Sequence, residues 1–325
     1  MELRLRKDYV SFIKDYGPYH PLLYHTINEQ EKIIRNFFEV YLVDRTKTFI
    51  GSKEYKIVSP VPSMQKTEDF NTLIAARADY IRTITKDRTV VLMWSGGLDS
   101  TCAFYALVAA GVPFHMHINH HAIGEHPKLA AEILAGQFPL VTAEYVYTGF
   151  LGMPHDKDFE FRKFIEDTPN LLVITGEIGD QLFGSVKGYC RSFETRQKPY
   201  EYVVPGEVQE ILDPTVLTFL NKPKASITYA EWVWAINFTC KYQDVLLRMG
   251  MLWRLLPVPP LSNVLHFYDD ENLQRWAMNH YEENAMYEQA TYKLAIRNYL
   301  RTQGCDENYC ATKIKDGSLC RLTYR

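Results

Sequence analysis

The residues best suited to chemistry run together at Ser95-Gly96-Gly97-Leu98-Asp99-Ser100-Thr101. A strand that runs into Ser-Gly-Gly and then opens a helix gathers several backbone N–H groups and a helix N-terminus at one point, which suits a phosphate. The two glycines let the backbone approach the anion closely. Ser95, Ser100 and Thr101 add hydroxyl donors. Asp99 adds a carboxylate where pyrophosphate alone would repel one, so a bridging Mg²⁺ is implied and Asp99 becomes a candidate metal ligand. The plain alternative is a helix N-cap, with Asp99 capping an apolar helix at Asp99–Ala110. Two glycines and three hydroxyls at the carboxyl end of a strand, where open α/β sheets bind ligands, favour the phosphate. No Gly-x₄-Gly-Lys-Ser/Thr segment occurs, so kinase and GTPase loops of the Walker kind are excluded.

A second cluster is Thr175-Gly176-Glu177-Ile178-Gly179-Asp180-Gln181-Leu182-Phe183-Gly184-Ser185. Alone it would pass for a capped surface turn. As a second glycine-bearing turn from strand to helix, beside the first, it would bring Asp180 opposite Asp99 and offer two carboxylates to one hard cation.

Together the two segments resemble the PP-loop (N-type) ATP pyrophosphatase superfamily, and within it the asparagine synthetase and β-lactam synthetase branch. The resemblance implies a parallel-sheet fold of the adenine nucleotide alpha hydrolase kind, with ATP and Mg²⁺ as cofactors. It also implies splitting of ATP between the α- and β-phosphates, transfer of AMP to a carboxylate, amide or ureido oxygen, and displacement of AMP by a nucleophile. Carried over residue by residue, Ser95, Gly96, Gly97, Asp99, Ser100 and Thr101 would contact the nucleotide, Asp99 and Asp180 would hold the metal, and Glu177 would sit by the reacting acyl group. Further along, Lys293-Leu294-Ala295-Ile296-Arg297 is similar to the branch's Lys-x-x-Leu-Arg helix, which implies that Lys293 reaches the phosphates or the charge that develops on them. A solvated i,i+4 pair of Lys293 and Arg297 on an exposed helix is the alternative. Looser likeness runs through Lys241–Met251 and Leu256–Leu261. The chain departs from the pattern at Gln181, where the branch usually has Glu, at Ser185 for Gly, and at Ser262 for Asp.

Glutamine-dependent members of that branch open with a glutaminase whose nucleophile is an N-terminal cysteine. Here Glu2 stands at that place, the first cysteine is Cys102, and roughly 85 residues precede the similar part. The expected partners are therefore a small-molecule carboxylate and ammonia or an amine, with a separate amidotransferase as one possible source of nitrogen. An amide-forming ligase is the leading reading. A nucleic-acid-modifying PP-loop enzyme and an ATP-binding homologue without turnover are the alternatives.

These turns need elements to hold them. Thr89–Trp94, Phe114–Asn119, Leu140–Tyr147 and Leu171–Thr175 read as strands, with helices near Asp99–Ala110, Pro127–Gln137 and Asp158–Asp167 between them. The alternation predicts an α/β fold with a parallel sheet and right-handed crossovers. Residues 1–85 form a small N-terminal α+β region that ends in a helix at Phe70–Ile84, and residues 86–325 a PP-loop domain. After about Ile227 the pattern turns wholly helical, at Tyr229–Met249, Asp270–His280 and Glu283–Arg301, with a hairpin around Lys315-Asp316-Gly317-Ser318.

Composition narrows the classes further. A chain of 325 residues, 46% hydrophobic, can bury a large core, and a net charge of −3 provides no general basic field, so nucleic acid is not favoured. No apolar run nears the roughly 20 residues of a membrane helix, and the start lacks a secretory pattern, so a cytoplasmic protein without a membrane partner is expected. The cysteines at 102, 190, 240, 305, 310 and 320 are too sparse for a disulfide framework, and Cys305, Cys310 and Cys320 fit no familiar zinc spacing. His115, His117, His120, His121 and His126 crowd the end of the second strand; lining of a nucleotide pocket is expected of some of them rather than metal binding.

Overall fold

Thr89–Trp94, a run of Thr-Val-Val-Leu-Met-Trp, forms the central strand β1 of a five-stranded parallel sheet. The computed structural model describes residues 29–38, 42–48, 56–147, 164, 167–168, 170–184, 193–246, 263–285 and 292–313. Strand β2 is Phe114–Asn119, β3 Val141–Tyr147, β4 Leu171–Thr175 and β5 Val264–His266, in the order β3-β2-β1-β4-β5. All four pairings are parallel, with Val91 opposite His115 on one side and Val173 on the other. Strands β1 and β4 are near-continuous apolar runs because a parallel sheet covered on both faces leaves no polar side to alternate with. Val91, Leu92, Val173 and Ile174 are fully buried.

From β1 the chain steps outward through β2 and β3, then returns to the other side of β1 for β4 and β5. The order reverses between β1 and β4, and such a switch point opens a crevice at the carboxyl ends of the two strands. Both sequence motifs begin there.

Strand β5 corrects the expectation of a wholly helical part after about Ile227. It has three residues, too few for a periodic signal, and its strand character comes from pairing with β4 at Val173, Ile174 and Thr175. Arg77 secures its end, donating to the carbonyls of His266 at 3.0 Å, Phe267 at 2.9 Å and Asp269 at 3.1 Å. Arg77 comes from the helix Phe70–Ile84, which Asp69 caps by accepting from Asn71 and Thr72 N–H and which packs on the helices Leu98–Ala109 and Leu294–Thr302.

The chain divides into two compact units. One, of Lys66–Gly179, Leu255–Trp276 and Tyr287–Arg325, contains the sheet. The other, of Met1–Gln65, Asp180–Arg254 and Ala277–Met286, is helical in its described residues. Within this second unit the helix Tyr229–Ile236 starts at a capping box of Thr228 and Glu231 and stacks Trp232 against Phe38 and Tyr200. It passes into a π-helical turn, Asn237–Lys241, where the expected single helix Tyr229–Met249 loses its regular ladder. Residues 43–45 take up carbonyls there: Val43 N–H donates to Cys240 O at 2.8 Å, Arg45 N–H to Thr239 O at 2.9 Å and the Arg45 guanidinium to Phe238 O at 2.7 Å. The N-terminal region thus closes a gap in a helix some two hundred residues later in the chain.

Among the described residues no helix is long and apolar enough to cross a membrane. Most of the expected helix Asp158–Asp167, the Leu256–Leu261 segment, Ser262, Ser185, Cys190, Cys320 and the hairpin at Lys315–Ser318 lie outside the described residues. Of the expected helix Glu283–Arg301, residues 283–285 and 292–301 are described, falling in the helices Tyr281–Ala285 and Leu294–Thr302 with residues 292–293 ahead of the second.

Candidate functional site

β1 ends at Trp94 and the helix Leu98–Ala109 begins four residues later, so Ser95, Gly96 and Gly97 must turn the chain sharply. Gly96 does so at φ +74°, and a Cβ there would lie 2.5 Å from the Ala122 carbonyl oxygen of the neighbouring helix His120–Glu125. Both facts require glycine. The helix is capped by Gly97 in an extended conformation with no side-chain hydrogen bond, so no cap side chain takes up its first N–H groups. Asp99 lies in the first helical turn and not at the cap, which disposes of its reading as an N-cap. Ser100 Oγ holds the turn from within, accepting from Ser95 N–H at 3.2 Å, meeting Ser95 Oγ at 3.0 Å and donating to Gly97 O at 3.2 Å. Ser95 is exposed, and its Oγ accepts a long hydrogen bond from Gly97 N–H at 3.4 Å. The outer face of the turn therefore carries the Gly97 N–H, bonded to the Ser95 hydroxyl, beside a helix N-terminus, groups that an incoming anion could engage.

The turn after β4 packs directly against the first. A Cβ on Gly176 would be 2.6 Å from Ser100 N, and one on Gly179 would be 2.5 Å from Asp99 Oδ1. Any side chain at either position would force the two turns apart. Between these glycines Glu177 is half-buried and donates its N–H to Thr175 Oγ1, which also bonds His266 Nδ1 at 2.7 Å. Ile178 has φ +77°, a conformation that costs a β-branched residue about 1–3 kcal/mol.

Lys293 reaches the same place from the start of the helix Leu294–Thr302 and pairs its ammonium with the Asp99 carboxylate. The pair is sheltered, with side chains 3% and 20% exposed. Arg297 is buried as well and donates to the carbonyls of Tyr292, Cys310 and Lys313, so the solvated Lys293/Arg297 pair does not exist. Of the four described non-glycine residues with positive φ, Ile178 and Lys293 both lie here.

The structure thus gathers Ser95, Gly96, Gly97, Asp99, Ser100, Glu177's turn and Lys293 at the carboxyl ends of β1 and β4. Thr101 is turned the other way. It is fully buried, and its hydroxyl meets Trp94 Nε1 at 3.1 Å and Tyr309 Oη at 3.2 Å. Asp180 opens the helical unit, half-buried in the first turn of the helix Gly179–Phe183. Gln181, next to it, is 2% exposed, so the departure from Glu falls in the interior, where a neutral amide is cheaper to bury than a carboxylate.

Two residues absent from the sequence reading complete the site. Tyr268, after β5, donates its hydroxyl to the Asp99 carbonyl at 3.1 Å, and Tyr309, in the helix Glu307–Thr312, donates to the Gly96 carbonyl at 2.8 Å. Nothing in their local sequence marks them, since each acts through a contact far along the chain. Cys102, below the loop, is fully buried, and burial pushes its thiol up to about 12, away from the thiolate form that reacts. Burial likewise lowers His126 to about 4, and its neutral ring stacks on Tyr309 at 3.8 Å with Cys305 Sγ 3.6 Å from Nε2. His126 thus packs on Tyr309 and caps the helix Pro127–Leu134, its Nδ1 accepting from Leu129 N–H at 3.4 Å. Among the described residues no three His, Cys, Asp or Glu side chains converge as metal ligands.

Comparison of the chain with protein-family models and with curated proteins returns no match.

Proposed function

We propose that this chain is an ATP-dependent, AMP-forming ligase of the PP-loop kind, related to asparagine synthetases, that joins a carboxylate substrate to ammonia or an amine. The observation that carries the reading is the packing of two glycine turns, one after β1 and one after β4, with Lys293 on Asp99 between them and the sheet's switch point. Glycines that admit no Cβ, a helix N-terminus without a side-chain cap and a buried lysine are what a polyphosphate needs.

The residues present fit Mg²⁺ arriving with a nucleotide. Mg²⁺ is commonly held by one or two carboxylates plus phosphate oxygens and keeps several waters, so it needs no cage of three protein ligands. Asp99 would supply one carboxylate, and Asp180 is the second candidate, given by the resemblance alone. Bound ATP would provide the activation, its AMP passing to a carboxylate oxygen and pyrophosphate leaving. The protein's part is orientation and charge. Gly97 N–H, the Ser95 hydroxyl and the N-terminus of the helix Leu98–Ala109 would bind the leaving phosphates, and Lys293 would face the negative charge that builds there. Glu177 would orient the acyl group and the incoming nitrogen.

The test is product analysis with Mg·ATP across panels of carboxylates and amines. AMP and pyrophosphate that depend on one carboxylate support the ligase. ADP and phosphate would overturn it, and tight ATP binding without products would favour a nucleotide-binding homologue.

A further inference from the structure

The helix Glu307–Thr312 belongs to neither motif, yet it reaches the phosphate loop through one side chain. Tyr309 is 7% exposed, and its hydroxyl donates to Gly96 O at 2.8 Å while lying 3.2 Å from Thr101 Oγ1. A phenol has one proton, and a carbonyl can only accept, so the shorter contact takes it; Thr101 then donates to Tyr309 Oη and accepts from Trp94 Nε1 at 3.1 Å. Each member of this buried chain of hydroxyls is used once.

The Gly96 carbonyl and the Gly97 N–H belong to a single peptide unit. No described peptide bond is cis, and in a planar trans unit the two groups point in opposite directions. Drawing the oxygen toward Tyr309 therefore sends the Gly97 N–H to the far side, the exposed rim, where it donates a long bond to Ser95 Oγ at 3.4 Å that a phosphate oxygen could replace. Gly96 could not fix this peptide plane by itself, because glycine at φ +74° has neighbouring conformations open to it. Ala122, packed against its Cα, limits one side only.

The rest of the helix is arranged to keep the phenol in place. Its ring stacks on His126, and its N–H donates to the N-cap Asp306 at 2.9 Å, which is paired with Lys128 at 2.9 Å. Arg297 takes the carbonyls of Cys310 and Lys313 at the far end, and Lys313 is paired with Glu125. Burial raises the phenol well above its ordinary range, so it remains a donor at any working pH.

We propose that Tyr309 is a positioning residue which, by holding the Gly96 carbonyl, aims the Gly97 amide at the bound phosphates. The inference rests on the phosphate-site reading above and adds a residue to it. Tyr309→Phe keeps the ring, the stack and the burial and removes only the donor. With inorganic pyrophosphate and Mg²⁺ as the titrant, the variant binds about five- to tenfold more weakly, the worth of one neutral hydrogen bond. The Gly97 amide resonance moves in the same variant. Tyr105→Phe is the control: that buried tyrosine bonds Cys305 and not the loop, so it lowers thermal stability and leaves both readouts alone. Unchanged affinity and an unchanged Gly97 amide in Tyr309→Phe overturn the proposal. If the wild-type protein takes no pyrophosphate, the phosphate-site reading fails, and the amide decides by itself whether Tyr309 orients that peptide. Should Tyr309→Phe not fold, the carbonyl ¹³C shift of Gly96 in the wild-type protein decides, a hydrogen-bonded value supporting the role and a free value overturning it.

Discussion

Removing the Lys293 ammonium tests how the candidate site is held together. The Lys293 and Asp99 side chains are 3% and 20% exposed. Breaking a buried ion pair from one side costs about 3–5 kcal/mol because the remaining charge keeps its desolvation penalty. Two features reduce that figure: Asp99 retains some solvent, and it lies in the first turn of the helix Leu98–Ala109, where the helix N-terminus favours a carboxylate by about 0.3–1 kcal/mol. Lys293→Met is therefore expected to cost about 2–4 kcal/mol. Methionine meets the same backbone demand as lysine at φ +54°, so the substitution isolates the charge. Asp99→Asn should be destabilising too, and the double variant should recover much of the loss, giving a coupling of about 2 kcal/mol. Urea unfolding followed by tryptophan fluorescence, run on all four proteins of the cycle, measures it. A coupling under about 0.5 kcal/mol, the worth of a solvated pair, would refute the reasoning.

Three further outcomes follow from the same geometry. His126, lowered from 6.5 to about 4 by burial, binds its proton more weakly in the folded chain than in the unfolded one, so its contribution is intact above about pH 6.5 and is lost as pH falls toward 4. Between pH 7 and pH 4.5 the stability difference between the wild-type protein and His126→Phe should change by roughly 2–2.5 kcal/mol, measured by denaturation at each pH, and a constant difference would show that the ring protonates freely. Gly179→Ala places a Cβ 2.5 Å from Asp99 Oδ1, so pyrophosphate binding should fall at least about tenfold by calorimetry, whereas Gly206→Ala, with nothing within 4 Å of the added carbon, leaves it unchanged. Arg297→Lys should not replace arginine, because one ammonium cannot span the carbonyls of Tyr292, Cys310 and Lys313; faster amide exchange in residues 307–312 is the expected sign.

Much of the sheet was legible: β1 and β4 stand out as apolar runs, and β2 and β3 as short β-branched and aromatic runs between helical patterns. β1, β2 and β4 coincide with the runs at Thr89, Phe114 and Leu171, and β3 begins one residue later than its run. β5 was not legible, since Val264-Leu265-His266 becomes a strand only through its neighbour β4. The helix Tyr229–Ile236 was visible in its apolar spacing, but the π-helical turn that follows depends on residues 43–45, far away in sequence. At the site, the glycine turns could be read from residue type, because glycine is needed where backbones touch. Lys293 was drawn in by resemblance, and its burial could not have been inferred from a lysine and an arginine four apart. Tyr268 and Tyr309 left no local trace: each is one of 22 tyrosines, and only the folded chain brings its hydroxyl to a carbonyl of the loop.

The most direct test of the account is exchange of labelled pyrophosphate into ATP with Mg²⁺ and a carboxylate panel. Reversible adenylation at the Ser95–Thr101 loop predicts label in ATP with a particular carboxylate, lost in Asp99→Ala and in Lys293→Met. Label that appears without any carboxylate or survives in Asp99→Ala, or ATP consumed to ADP with no exchange, would contradict it.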